Sequence, residues 1–223
     1  MKKISSVLSR YRHALIFLYA PIYFIWFSWL QGRNVTHTIV YSELDALIPF
    51  CEYFVIPYLL WFLYIGVTMA WLFFRSQEYF LRYCEYLFIG MTICLIIYTL
   101  WPNMQNLRPE DVERDNIFIR LIRMIWGLDP SSNVCPSIHV YNAIGTHAVI
   151  RCCPELRKKK GLGSLSLVLC VLIMMSTVLI KQHTILDVAA AMLLAIPMYP
   201  FAYRRRGYTL QKYCARDRAA IIR

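Results

Sequence analysis

Apolar residues occupy the chain in long blocks bounded by charge, at 14–31, 54–74, 83–101, 164–180 and 183–203, with a more mixed block at 136–150. Blocks of roughly 20 residues have the length at which a helix crosses the hydrocarbon core of a bilayer. The pattern predicts an all-α fold, a polytopic membrane helical bundle of six transmembrane helices. Within it the fourth block stands apart. "PSIHVYNAIGTHAVI" is short and carries two histidines and an asparagine, so it belongs inside the bundle, sheltered from lipid.

Composition agrees with this reading. The chain is 59% hydrophobic and 15% aromatic, well above the roughly 45–50% apolar content of soluble domains. No polar half separates from the apolar blocks, so residues 1–223 are expected to form one integral membrane domain. The opening "MKKISSVLSRYRH" and the apolar block after it read as a retained first helix, because no small-x-small cleavage site follows.

Charge sets the expected orientation. With six spans, the N-terminal tail, the second and fourth loops and the C-terminal tail share one side and hold most of the 24 Lys and Arg. Both termini are therefore predicted to be cytoplasmic. The same placement accounts for the net charge of +11, for "RKKK" (157–160) and for "RRR" (204–206). These runs flank spans, where they fix topology and meet anionic head groups, and no nucleic-acid partner is expected.

The eight cysteines show no metal-ligand spacing. Cys152 and Cys153 are adjacent on the cytoplasmic side, and Cys84, Cys94 and Cys170 read as packing residues. Cys51 and Cys135 both fall on the outer face, and whether they pair is left open by the sequence. The long outer segment 102–135 is expected to be functional. Its second half, "NIFIRLIRMIWGLDP", suits an amphipathic interfacial helix with Arg120 and Arg123 toward head groups, or a lid that lends an arginine to a site.

Candidate chemistry gathers at that outer face, where the fourth and sixth blocks begin. Each opens with a histidine, His139 in "CPSIHV" and His183 in "KQHTILDV", and Asp187 follows His183 at one helical turn. Arg108, Ser137 and Lys181 lie on the same side. An imidazole is a good nucleophile toward phosphorus when a carboxylate holds its other nitrogen as N–H, which assigns His183 as nucleophile and Asp187 as its orienting group. A second histidine suits proton transfer to and from the leaving oxygen, a role for His139. Fixed positive charge and N–H donors for the phosphate oxygens come from Arg108, Lys181, Ser137 and the backbone at the start of the fourth span.

Two histidines and an aspartate also suit zinc, but no third nitrogen or sulfur ligand is evident, so no metal or other cofactor is expected. His147 reads as a buried hydrogen-bonded residue, and His13 and His37 receive no role.

The motifs together resemble those of the type-2 phosphatidic acid phosphatase superfamily, whose pattern is Lys-x6-Arg-Pro, then Pro-Ser-Gly-His, then Ser-Arg-x5-His-x3-Asp. "RP" is Arg108–Pro109, "PSIH" is Pro136–His139, and "STVLIKQHTILD" supplies Ser176, His183 and Asp187. The resemblance implies a metal-independent phosphatase of lipid phosphates or diphosphates, working through a phosphohistidine at the extracytoplasmic face of the plasma membrane. It implies the same roles for His183, Asp187, His139 and Arg108, with Ser137 and Ser176 at the phosphate. Three positions depart from the pattern: Trp101 stands for the lysine, Ile138 for the glycine and Thr177 for the arginine. Lys181 is the expected substitute for the missing charge, with Arg120 and Arg123 behind it. Two alternatives stand beside the phosphatase: a head-group phosphotransferase similar to the inositol-phosphoceramide synthases, and a non-catalytic protein that binds lipid phosphates. The membrane lipid and the bilayer are the expected partners; the identity of the lipid and the oligomeric state are not written in the sequence.

Overall fold

A computed structural model of the chain describes residues 11–204. The expected basic tails, up to residue 10 and from residue 205, lie outside the described residues. The described chain is predominantly helical. We number the helices α1 (Tyr19–Gln31, preceded by a 3-10 stretch at Arg12–Leu18), α2 (Glu43–Leu47), α3 (Val55–Arg75), α4 (Gln77–Leu100), α5 (Ile117–Leu128), α6 (Ile138–Cys152), α7 (Pro154–Arg157), α8 (Leu162–Leu179) and α9 (Ile185–Tyr203). One small parallel ladder joins β1 (Thr38–Ile39) to β2 (Asn103–Met104).

Among the described residues five helices are long and apolar enough to cross a membrane: Arg12–Gln31, Glu52–Arg75, Gln77–Leu100, Leu162–Leu179 and Ile185–Tyr203. The fourth expected block becomes α6, a helix of 15 residues that is not one of those five. Its position explains its sequence. α6 is the hub of the bundle, packed against α3, α4, α8 and α9, and most of its residues are buried, including Asn142 and Thr146. A helix enclosed by other helices has no lipid-facing side and needs no apolar one.

Close approach of α4 and α6 depends on two glycines. A Cβ on Gly90 would fall 2.0 Å from the ring of Tyr141, and one on Gly145 would fall 2.2 Å from that of Tyr86. The two tyrosines stack with centroids 4.7 Å apart in the space so left, as small residues permit at membrane helix interfaces.

The site end of the bundle is capped by loops pinned through buried polar side chains. Asn103 is fully buried; its Oδ1 accepts from the backbone N–H groups of Val134 and Cys135, and its Nδ2 donates to the carbonyls of Trp101 and Cys135. It thereby fixes the strand of chain that leads into α6. Asp45, also buried, accepts from the N–H of Ile185 at the start of α9 and closes a capping box with Ser42. A buried backbone left unpaired would be costly, and these side chains remove that cost.

α5 is amphipathic, as its sequence suggests. Ile119, Ile122 and Ile125 are buried, and the inner face packs on Val55, Tyr58 and Ile180. Arg120 pairs with Asp115 on the exposed face and Arg123 donates to the carbonyl of Val112. Neither arginine turns toward the histidines. Cys51 and Cys135 are both free thiols, and burial pushes the Cys135 thiol up to about 12.

Candidate active site

α6 and α9 begin at the same end of the bundle, and their first turns are joined by a bond from the N–H of Ser137 to the carbonyl of Asp187 (3.1 Å). That link brings His139 and His183 together: His139 Nδ1 lies 3.3 Å from His183 Nε2. On the far side of His183, Nδ1 lies 3.2 Å from Asp187 Oδ2.

The local sequence of α9 explains why Asp187 is placed so exactly in register. Thr184 is the N-cap, its hydroxyl accepting from the Asp187 N–H, and Asp187 Oδ2 accepts in turn from the Thr184 N–H at 2.8 Å. This is a capping box whose carboxylate also serves the histidine before it. Asp187 is fully buried, so its geometry is held by the helix start as much as by His183.

His139 is gripped from α3. The Tyr58 hydroxyl lies 2.9 Å from His139 Nε2, and Trp61 Nε1 donates to the His139 carbonyl at 2.9 Å. The hydrogen bonds then fix the tautomers. With His183 Nδ1–H given to the carboxylate, His183 Nε2 carries the lone pair; His139 Nδ1 holds the proton between the rings, and His139 Nε2 accepts from Tyr58. A continuous line runs Tyr58, His139, His183, Asp187. Tyr58 has no motif of its own, and its only sequence signal is the aromatic stripe Tyr58, Trp61, Tyr64 on one face of an otherwise apolar block.

Arg108 stands beside this line. Its Nη1 donates to the Trp126 carbonyl, and its Nη2 donates to the Asp129 carbonyl (2.7 Å) and to Gln182 Oε1 (2.9 Å). Gln182 Nε2 donates to the carbonyl and to Oδ2 of Asp129. Burial lowers the Arg108 guanidinium from its usual value, opposed by the charge of Asp129. Burial raises the Asp129 carboxyl, opposed by His183, Gln182 and Arg108. Gln182 and Asp129 are absent from the motif reading because neither carries a spacing signal.

The other predicted residues are placed apart from this group. Lys181 sits in a left-handed backbone conformation with φ 56°, in the tight turn between α8 and α9. Its Nζ donates to the carbonyls of Asp45 (3.0 Å) and Ile48 (2.6 Å), so its ammonium holds the α2 loop. Burial lowers its pKa, and Asp45 partly restores it. Ser176 is buried with its hydroxyl bonded to the Ile173 carbonyl one turn back. Ser137 caps α6, its hydroxyl accepting from the Val140 N–H. Among the described residues no three His, Cys, Asp or Glu side chains gather as a ligand set for a metal ion.

Both histidines open on a cavity of about 590 Å³. Gln182, Asp129, Ser132 and Asn133 line its polar part, and the rest is walled by apolar and aromatic side chains of α1, α3, α4 and α5, such as Phe27, Phe62, Met91 and Met124. Phe24, Phe62 and Met124 are also exposed on the outside of the bundle, so the apolar part of the cavity reaches the perimeter that membrane helices present to lipid. The chain matches no family model, no curated protein and no solved structure.

Proposed function

We propose that the protein is a metal-independent lipid phosphate phosphatase acting through a phosphohistidine. The observation that carries this reading is the hydrogen-bonded line Tyr58, His139, His183 and Asp187 at the polar end of a cavity with long apolar walls. A polar reacting group and an apolar chain attached to it match the two parts of such a cavity.

In the reaction, His183 Nε2 attacks phosphorus while the P–O bond to the leaving group breaks. The leaving oxygen takes a proton from His139 in its imidazolium form, which the arriving phosphate anion favours. Asp187 stabilises the positive charge that grows on His183. Water then attacks the phosphohistidine, the N–P bond breaks, and the proton of the water passes to His139. In the resting arrangement the His183 lone pair is engaged by His139, so phosphate binding must part the two rings. Arg108 supplies fixed positive charge beside them.

The same reading takes α6 as a sixth crossing sheltered by its neighbours, both termini as cytoplasmic, and the histidines as facing outward at the plasma membrane. The motif resemblance to the type-2 phosphatidic acid phosphatases supports it, as does the bias of Lys and Arg. Phosphotransfer to an alcohol is favoured by the charge balance: among the described residues Arg108 is the sole arginine or lysine bonded within the cluster, and a carboxylate, Asp129, lines the cavity on which the histidines open.

The test is release of inorganic phosphate from a panel of lipid phosphates by purified protein in excess EDTA, beside His183→Ala. Release that survives chelation and is lost in the variant is expected. Release that persists in His183→Ala refutes the reading.

A further inference from the structure

The apolar part of the cavity has a definite depth and a definite end. On α4 it is lined by Tyr98, Met91 and Phe88. Tyr98 marks the site end, because its hydroxyl donates to the Pro136 carbonyl just before α6. Phe88 lies ten residues further in, a depth of about 15 Å at a helical rise of about 1.5 Å per residue. That is half of a hydrocarbon core about 30 Å thick, and so the depth of one leaflet. On α1 the lining residues Tyr19, Tyr23 and Phe27 recur at one-turn spacing. Tyr23 stacks on Phe27 with centroids 5.8 Å apart, and the stripe forms an aromatic wall.

Tyr19 and Phe88 are the innermost lining residues of α1 and α4, and they meet. Their rings stack with centroids 4.4 Å apart. The Thr92 hydroxyl gives its proton to the Phe88 carbonyl at 2.7 Å, so Tyr19 is the donor in its 3.0 Å bond to Thr92 Oγ1. A ring held by its face and by its hydroxyl is a firm stop. Next along the chain inward, Phe17 packs against Phe73 of α3 and Phe80 of α4, which closes the gap between α1 and α3 on that side.

A chain drawn from a bilayer gains no hydrophobic free energy on entering an apolar slot, because lipid tails are as apolar as the walls. What the slot adds is fit. Methylenes beyond the stop have no room along the axis and must bend out past exposed Phe24 and Phe62. Selection by fit therefore acts on chain length.

We propose that Tyr19 and Phe88 form the floor of an acyl-chain slot and set the length of chain that the phosphate substrate carries. The proposal rests on the phosphohistidine reading for its chemistry, and it narrows the substrate to phosphate monoesters whose chain spans about one leaflet.

The experiment measures phosphate release from linear alkyl phosphates, octyl to docosyl, at fixed mole fraction in detergent micelles. Wild type, Tyr19→Ala, Ala20→Phe and His183→Ala are compared. Ala20 lines the cavity beside Tyr19, so a ring there shortens the slot, whereas Tyr19→Ala deepens it. In wild type kcat/KM should peak between dodecyl, whose extended length is the slot depth, and octadecyl, which fills that depth when kinked. It should fall about tenfold at docosyl, the scale on which an apolar pocket rejects excess methylenes. Tyr19→Ala should move the peak to longer chains and Ala20→Phe to shorter ones; if Tyr19→Ala is not recovered folded, the Ala20→Phe shift decides alone. Calorimetric titration with the matching alkylphosphonates, which resist hydrolysis, should rank the lengths in the same order, and His183→Ala should keep the wild-type ranking. A peak that neither variant moves, a profile without a peak, or no phosphonate bound at any length overturns the floor. Phosphate release that survives His183→Ala, or that is absent from wild type at every length, overturns the parent reading alone, because the phosphonates still rank the lengths without turnover.

Discussion

α6 carries two histidines on one helix, and their surroundings differ. His139, in the first turn, touches Tyr58 and His183 and opens on a cavity. His147, two turns further, places Nδ1 2.9 Å from Ser166 Oγ, and the Tyr64 hydroxyl closes on the same serine. A neighbouring pair, Tyr83 and Thr146, is bonded at 2.6 Å. Ser166 thus joins α3, α6 and α8, and Thr146 joins α4 to α6. The outer line instead ends on an accessible face and includes a carboxylate. A histidine in a membrane helix is thus not by itself a reactive group; the proposed chemistry falls where a carboxylate and an open space meet.

The sharpest way to break this contrast is to remove each histidine in turn. His183→Ala should lower phosphate release by about a thousandfold or more, the scale of losing a nucleophile, with the folded fraction in detergent little changed. Turnover within tenfold of wild type would place the reactive nitrogen elsewhere. Tyr58→Phe deletes only the hydroxyl that fixes the His139 tautomer. A fall in kcat of roughly 10–100-fold is expected, because a hydrogen bond to an ionising group is worth about 1.5–3 kcal/mol. An unchanged pH profile and kcat would show that His139 holds its tautomer unaided.

Smaller effects should appear as stability rather than rate. Lys181→Met removes two bonds from a buried ammonium to the α2 loop, and a loss of about 1–3 kcal/mol is expected in thermal unfolding, with KM for lipid phosphate unaltered. A raised KM at unchanged stability would instead support the expectation from sequence that Lys181 binds phosphate. His147→Gln, on the silent side of the comparison, should cost about 1 kcal/mol, in the range measured for interhelical hydrogen bonds in membranes. Its kcat per folded molecule should match wild type; a large kcat loss would join the two networks into one.

Much of the site is legible in the sequence. The pairing of His183 with Asp187 is found, but not by the helix repeat that predicts it: α9 begins at Ile185 with Thr184 as N-cap, so His183 precedes the helix and meets Asp187 through the capping box. The apolar blocks give the approximate positions of α1, α3, α4, α8 and α9. The block at 136–150 is also legible: its histidines and asparagine place it inside the bundle, where α6 lies, most of its residues buried. Lys181 shows a failure of spacing. Two residues before His183 it looks like part of the site, yet the turn takes it through φ 56° and sends its ammonium to Asp45 and Ile48. Spacing rules hold within a helix and lapse at its end. Gln182, Asp129 and Tyr58 were invisible for a related reason: each comes from a different segment, and no pattern links them along the chain.

The sequence by itself determined that the chain is a helical membrane-type protein and that a histidine and a carboxylate meet at the start of α9, because the apolar blocks and the Thr184–Asp187 capping box beside His183 are local properties. Only the tertiary structure decided that His139 meets His183, that Tyr58 completes their line, and that Lys181 is turned away. Those outcomes depend on which ends of α3, α6 and α9 lie together, and on carbonyls and amides whose partners are distant in sequence, so no local rule contains them.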